Sequence, residues 1–395
     1  MTMKSNRRNF FKAIGTIGIT STLAPLATYA KDPQANEFGF SSEPYLQNNN
    51  AKDVTVIVTF NKPAFAHLEI LDHNNQVLNI IYEVQDGMRN ANTDLFKFKV
   101  PHGNKNFKYR IIAKEVLKFE AYKIEYGPTI QSEIYETKLS IHDDREAHIL
   151  ILNDIHENTS TYSELYKLNT MPRTDLVLLN GDIFHYVNSK FDLINKLNQP
   201  ISKAFASHIP FVLVRGNHET RGPFARELKN YYDFPNNKFY QSFSLGKLFI
   251  VILDGGEDKP DDHQVYGQTV DYDHYRLEQK EWLTKVLQSK ERKKAKHTII
   301  VNHIPWFHSD DWHGTLHNRE CFHEIVQKAK VDAVISGHTH EYGFYPPDND
   351  HNYYVIIGGG PKAGSRTFVE ISSTHVLTVN LKKDDNTLIN TFTRG

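Results

Sequence analysis

The sequence contains a single cysteine, Cys321, so it can form no internal disulfide, and no cysteine near the N-terminus is available to carry a lipid. Charge of one sign is also missing. The formal net charge is -1, from 46 Lys and Arg against 47 Asp and Glu, which leaves no basic footprint for a nucleic-acid backbone. Long apolar runs are absent as well; nothing reaches the roughly 20 apolar residues of a membrane span. No internal repeat and no low-complexity segment is found. With 395 residues, 39% hydrophobic and 24% charged, the chain suits a soluble globular protein of two domains, one smaller and one larger. Histidine is what the sequence has in unusual number, 21 in all, several of them at the ends of apolar runs.

Residues 1–30 read as an address rather than as structure. They carry Lys4, Arg7, Arg8 and Lys12 and no acid, so the remainder is more acidic than the whole. Asn6-Arg7-Arg8-Asn9-Phe10-Phe11-Lys12 resembles a twin-arginine export signal. A weakly apolar stretch over 13–26 follows, and Thr28-Tyr29-Ala30 offers small residues for cleavage before Lys31. The resemblance implies passage of the folded chain through the twin-arginine machinery, a periplasmic or extracellular location, and a mature protein without a stable membrane span.

Beyond the signal, strand character dominates. Val54-Thr55-Val56-Ile57-Val58-Thr59-Phe60 is rich in β-branched residues, and Asn61-Lys62-Pro63 predicts a turn after it. Comparable runs at 66–71, 76–83, 95–100, 107–116 and 133–139, punctuated by Gly, Asn, Asp and Pro, predict a small antiparallel β-sandwich over residues 36–141. From about residue 145 to 395 the texture is that of an α/β (α+β) domain. Short continuous apolar runs at 148–152, 176–179, 211–214, 248–253, 298–301 and 333–335 have the pattern of strands buried on both faces. Helices are predicted over 275–288, where Trp282, Leu283, Val286 and Leu287 form a stripe, and over 321–329, which puts Cys321 in a core. The tail over 353–392 returns to strands.

The chemistry stands at the C-terminal ends of the apolar runs. There lie Asn153-Asp154-Ile155-His156, Asn180-Gly181-Asp182, Gly216-Asn217-His218-Glu219, Asn302-His303 and Gly337-His338-Thr339-His340. In an α/β sheet the carboxyl ends of the strands converge on one crevice, so these five loops should meet. Imidazoles together with carboxylates and one amide suit a pair of borderline divalent or trivalent cations, Fe, Zn or Mn in type, whereas an all-oxygen set would suit Mg or Ca. The two-residue spacings of Asp154/His156 and His338/His340 would put both side chains on one side of an extended chain.

In this order the five motifs resemble the calcineurin-like metallophosphoesterase superfamily over residues 145–380. The resemblance implies a two-sheet β-sandwich flanked by helices. It also implies two metals, one held by Asp154, His156 and His340, the other by Asn217, His303 and His338, with Asp182 bridging. The chain looks more closely like the purple acid phosphatases. Pro44-Tyr45-Leu46-Gln47 opens a region like their fibronectin-type N-terminal domain, and His303-Ile304-Pro305-Trp306-Phe307 and Gln279-Lys280-Glu281-Trp282-Leu283 follow their motifs. One position departs. Three residues after the bridging Asp those enzymes have the tyrosine that colours iron(III), and this chain has His185. The implied activity is phosphomonoester hydrolysis, with hydroxide on the metals attacking phosphorus and an imidazole protonating the leaving alcohol. The alternatives are a phosphodiesterase or a nucleotide- or phospholipid-directed esterase on the same metals, and a non-catalytic surface binding protein. Exported alkaline phosphodiesterases use a cysteine ligand, which Cys321, away from every motif, does not provide.

His218 and His313 are the candidate acids. With Asn217, His308 and Trp306 they are also the candidate substrate contacts; His308 and His313 are expected on the loop that follows His303. Gly358-Gly359-Gly360-Pro361 lacks a following Lys-Thr pair and reads as a tight turn near the site rather than a phosphate cradle.

Overall fold

The computed structural model describes residues 37–103, 105–139 and 146–395. The export signal expected over 1–30 lies outside them. From Phe38 to Gly395 the chain forms one compact unit.

Two six-stranded sheets carry the larger part. In the first, Ala147–Leu152 pairs in parallel with Leu176–Asn180, which pairs in parallel with Phe211–Val214. On its other side Thr367–Ser373, Leu377–Lys383 and Leu388–Arg394 continue the sheet antiparallel. The second runs Gln241–Leu245, Leu248–Ile252, His297–Val301, Ala333–Ser336, Tyr354–Ile357, Gly343–Tyr345, and its four inner strands are parallel. Alternation along each strand explains the continuous apolar runs. Ile149 and Ile151 face Ile250, Ile252, Ile299 and Val301 in one core between the sheets. Leu150 and Leu152 point the other way, into a core with Leu165, Leu197 and Phe205 from helical segments. Val251 and Ile300 pack outward against Leu283 and Phe322, on helices Tyr272–Val286 and His313–Ala329. Strands buried on both faces between flanking helices give the layered architecture expected of this sequence.

Before this lies a seven-stranded antiparallel sheet built on one strand of 19 residues, Asp53–Leu71. The turn expected at 61–63 does not form. The strand runs on, and there it exchanges its neighbour Thr93–Pro101 for Lys108–Glu120, with a register shift between Thr59 and Ala64. Pro63 sits where the pairing changes hands, so its missing N–H removes little from the ladder. Val54, Val56, Val58 and Phe60 share one core with Leu68, Phe98 and Ile111, all from this sheet, so the sheet closes on itself. Its other face is joined to the larger part. Tyr45 packs against Phe211 and Tyr232 and Thr55 Oγ1 donates to Asp233 at 2.5 Å, while Tyr109, a residue of the sheet's own core, donates its Oη to the Ser207 carbonyl at 2.8 Å. Among the described residues no helix is long and apolar enough to cross a membrane.

Candidate metal centre

The loops after Leu152, Asn180, Val214, Val301 and Ser336 converge at one edge of the two-sheet core. Asp154, His156, Asp182 and His340 bring ligand atoms within 4.8 Å of one another, and so do Asp182, His303 and His338. Asp182 alone belongs to both groups. Asn217 completes the second, its amide 3.0 Å from His338 Nδ1.

The backbone at these ligands is unusual. Asp154, His156, Asp182, His338 and His340 all have positive φ, between 44° and 76°. The extended geometry expected for Asp154/His156 and His338/His340 is therefore not what aligns their side chains; each pair lies on a left-handed turn. Non-glycine residues rarely adopt this region, and such strain is concentrated at functional sites, where the surrounding contacts enforce it. Gly181, φ +77°, must lack a side chain for a second reason, because a Cβ there would collide with the His303 ring.

Glu219 supplies much of the enforcement. It is fully buried, and Oε2 accepts the N–H groups of Asp182 and Gly216 at 2.8 Å each. Oε1 accepts those of Ile183 at 2.7 Å and Phe184 at 3.2 Å. One carboxylate thus fixes the Asp182 loop to the Asn217 loop. Asn153 acts similarly on the other side, with Nδ2 donating to Asp154 Oδ2 at 2.6 Å and to the Gly359 carbonyl at 3.0 Å, which puts Gly358-Gly359-Gly360 against the site as expected. His303 Nδ1 lies 2.7 Å from the Asn180 carbonyl, which can only accept, so Nδ1 carries a proton, and Nε2 is turned to Asp182 Oδ2 at 3.1 Å.

The donor set fits cations. Burial pushes the Asp154 carboxyl up to about 7 despite the pull of His303, with the charge of Asp182 acting in the same sense as burial. Burial acts on Asp182 in that direction too, but His303 holds it well below the usual carboxylate range, and His303 is itself raised to about 10 against its own burial. With protein groups alone the two buried carboxylates are not equally ionised; cations between them would let both keep their charge. Burial lowers His156 to about 3 and His338 to about 4, which leaves neutral imidazoles able to ligate. His156 Nε2 and His340 Nε2 face each other at 2.9 Å. The Asn217 amide makes the same point. Turned nitrogen-inward it donates to Asp182 Oδ1 at 3.2 Å while its oxygen accepts from Arg221 Nη2 at 2.9 Å. Turned oxygen-inward it faces only acceptors, an arrangement that a cation among them would satisfy.

The other candidates are distributed differently. His218 lies at the centre, its backbone N–H donating to Asp182 Oδ1 at 3.1 Å. Its Nδ1 faces the His185 carbonyl at 2.9 Å, and Nε2 meets Arg221 Nη1 at 3.1 Å. His185 lies alongside, Nδ1 3.2 Å from His156 Nδ1. His313 is not on a loop: it is the first residue of the helix His313–Ala329, with Nε2 2.8 Å from Asp273 Oδ1. The sequence disguised this start because Gly314 follows it. That glycine is required, since its N–H donates to the Asp258 carbonyl at 2.7 Å and a Cβ would collide with the Glu257 backbone. His308 stacks on Tyr345 in a separate cluster. Trp306 is a correction. It is 1% exposed, in contact with Phe322 and Tyr353, so it belongs to the core and forms no substrate wall.

Two residues of the centre were missed by the sequence reading. Glu219 was visible as part of its motif, but no spacing rule revealed its role. Arg221 had no local signal; it joins His218 and Asn217 to Glu257, which it binds through two hydrogen bonds of 2.8 Å.

Two sheets that gather candidate metal ligands at their strand ends define the class of fold. Residues 147–342 match the family model of the calcineurin-like phosphoesterases, and the chain carries a calcineurin-like metallophosphoesterase domain. Among curated proteins it is similar to purple acid phosphatase 18 of Arabidopsis thaliana, 28% identical over 181 residues, which is 42% of this chain and 37% of the relative. It is also similar to the serine/threonine-protein phosphatase CPPED1 of Mus musculus, 27% identical over 184 residues, 44% of this chain and 55% of the relative. The chain thus spans well under two thirds of the length of these relatives. In fold it resembles a purple acid phosphatase from yellow lupin (Lupinus luteus) seeds, with a TM-score of 0.65 at 16% identity, over 89% of this chain and 74% of that one.

Proposed function

We propose that the protein is a binuclear metal-dependent phosphatase that hydrolyses phosphate monoesters. The observation that carries this reading is the position of Asp182 in both ligand groups, one carboxylate serving two cation sites. In this reading Asp154, His156 and His340 hold one ion, and Asn217, His303 and His338 the other. Bound, the ions would supply Lewis-acid charge that neutralises phosphate oxygens and acidifies a water.

The chain's own residues do the rest. Asp154, Asp182 and His303 lie fully buried at the base, while the His340 side chain, 47% exposed, and that of His218, 22% exposed, form the mouth. Arg221, whose Nη1 donates to His218 Nε2 at 3.1 Å, is an extra charged donor beside the candidate ligands, and a donor of this kind favours the dianion of a monoester over a diester. Beyond Arg221 a cleft of about 880 Å³ opens, lined by Tyr186, Arg226, Lys229, Tyr266 and Tyr272 among others, with room for the leaving alcohol. The two-domain division at about residues 141–145 and export by the twin-arginine route, to the periplasm or beyond, form part of the same proposal.

The test is to strip the full chain with a chelator, reload it with Zn, Mn or Fe, and assay 4-nitrophenyl phosphate against bis(4-nitrophenyl) phosphate. At least two ions per chain and a higher kcat/KM on the monoester are expected. Protein loaded with two or more ions that hydrolyses neither ester would overturn the enzymatic reading, and a preference for the diester would overturn the substrate class.

A further inference from the structure

Beyond His303 in the chain, a second and separate set of ligand-type side chains meets. His308, Asp348 and His351 bring one ligand atom each within 4.8 Å of the others. The His351 side chain is fully buried, and its Nδ1 lies 2.9 Å from the Tyr353 carbonyl. A carbonyl only accepts, so Nδ1 carries the proton and Nε2 presents a bare lone pair. That Nε2 faces His308 Nε2 at 3.1 Å and Asp348 Oδ2 at 3.6 Å.

We infer that His308, Asp348 and His351 form a third metal site, for a borderline transition-metal ion such as Zn²⁺ or Co²⁺, independent of the central pair. Two imidazoles and a carboxylate are a donor set for such ions, and the partner of His351 Nδ1 is the backbone carbonyl that metal-ligating histidines characteristically engage. The spacing agrees. Four ligands at 2.0–2.1 Å in tetrahedral array stand about 3.3 Å apart, and the two measured separations fall on either side of that value.

Each ligand is held before any ion arrives. Asp348 Oδ1 is occupied by the N–H groups of Asp350 at 2.8 Å and His351 at 3.1 Å, which leaves Oδ2 for the site. The His308 ring lies flat on Tyr345, centroids 3.6 Å apart and planes 8° from parallel, on a residue with φ of +59°. A simple hydrogen bond between the two imidazoles would need neither this fixed ring nor a carboxylate aimed at the same point. The ion would join the segment leaving His303 to the turn ahead of Tyr354–Ile357, the strand that leads to Gly358-Gly359-Gly360 beside Asn153. The other peripheral set, Asp273 with His313 and His317, differs: the guanidinium of buried Arg276 already lies 2.8 Å from Asp273 Oδ1, a cation in the place an ion would need.

The test uses the full chain stripped with a chelator, reloaded with Zn²⁺ alone, desalted, and assayed for bound zinc by mass spectrometry. The wild type is expected to retain three ions per chain. His308→Phe, which preserves the stack on Tyr345, and Asp348→Asn should each retain two. Asp182→Asn, which empties the central pair, should retain one. Loading with Co²⁺ should add visible d–d bands at the third equivalent, absent from His308→Phe. Two ions in the wild type, or three in both His308→Phe and Asp348→Asn, would overturn the inference. An ion lost from Asp273→Asn but kept by His308→Phe would assign the third site to the other cluster and overturn it as well.

Discussion

Glu219 holds Asp182 by its backbone: Oε2 accepts the Asp182 N–H at 2.8 Å, and the same oxygen accepts Gly216 N–H at 2.8 Å. The carboxylate lies inside the protein, where burial, followed by the nearby charge of Asp182, raises its pKa. A buried charge is tolerated here because four N–H groups surround it.

Glu219→Ala leaves those four donors without their acceptor. Stability should fall by about 3 kcal/mol, since each buried unsatisfied donor costs on the order of 1–3 kcal/mol and the loops can relax in part. Metal occupancy should fall with it. Denaturant unfolding and metal analysis read both effects; a variant within about 0.5 kcal/mol of wild type, fully loaded, would show that the loops hold themselves.

Asp182→Asn and His218→Ala should separate ligand from substrate contact. The first removes the charge shared by both sites and should lose central metal together with activity. The second should keep both central ions and lose activity by roughly 10²–10⁴-fold on alkyl phosphates. The loss should shrink for 4-nitrophenyl phosphate, whose phenolate departs without a proton. Metal loss in His218→Ala would make it a ligand. Equal losses on both esters would remove it as the acid, and His313→Ala under the same comparison examines the second imidazole, which the structure ties to Asp273 instead.

Arg221→Lys should raise KM about 10- to 100-fold for monoesters with little change in metal content, because a hydrogen bond from a charged group contributes about 1.5–3 kcal/mol and lysine cannot reproduce the guanidinium fork. Steady-state kinetics with metal analysis decides it. An unchanged KM would place phosphate out of reach of Arg221.

His185 stands beside His156 where the purple enzymes have a tyrosine, so the iron(III)-loaded protein should lack an intense visible band. His185→Tyr should acquire one. A strong band in the wild type that survives His185→Ala and vanishes on replacing Tyr186 would move the ligand to that residue.

Replacing both Arg7 and Arg8 by lysine should block export while leaving folded precursor in the cytoplasm, as judged by fractionation. Export of the double variant at the wild-type rate would mean that another route is in use.

The clustering of the candidate ligands was legible in the sequence because its signal is local. An apolar run followed by Asp-x-His, Gly-Asp, Gly-Asn-His-Glu or Gly-His-x-His needs only neighbouring residues to specify a strand, its end and a ligand. The parallel strands then had to bring those ends to one edge. Where burial or partner exchange decides the outcome, the local signal misled. Pro63 reads as a turn, but the long strand passes through it because its neighbours change there. Trp306 reads as a loop aromatic, but the core between Phe322 and Tyr353 encloses it. His313 reads as part of a loop, because nothing local shows that Gly314 lies against the Glu257 backbone at a helix start. Only the tertiary structure could bring Asp182 into both ligand groups, give five ligands positive φ, and set Glu219 and Arg221 behind them. Those features are contacts between segments far apart in the chain, and their energies depend on shape and enclosure that no single segment encodes.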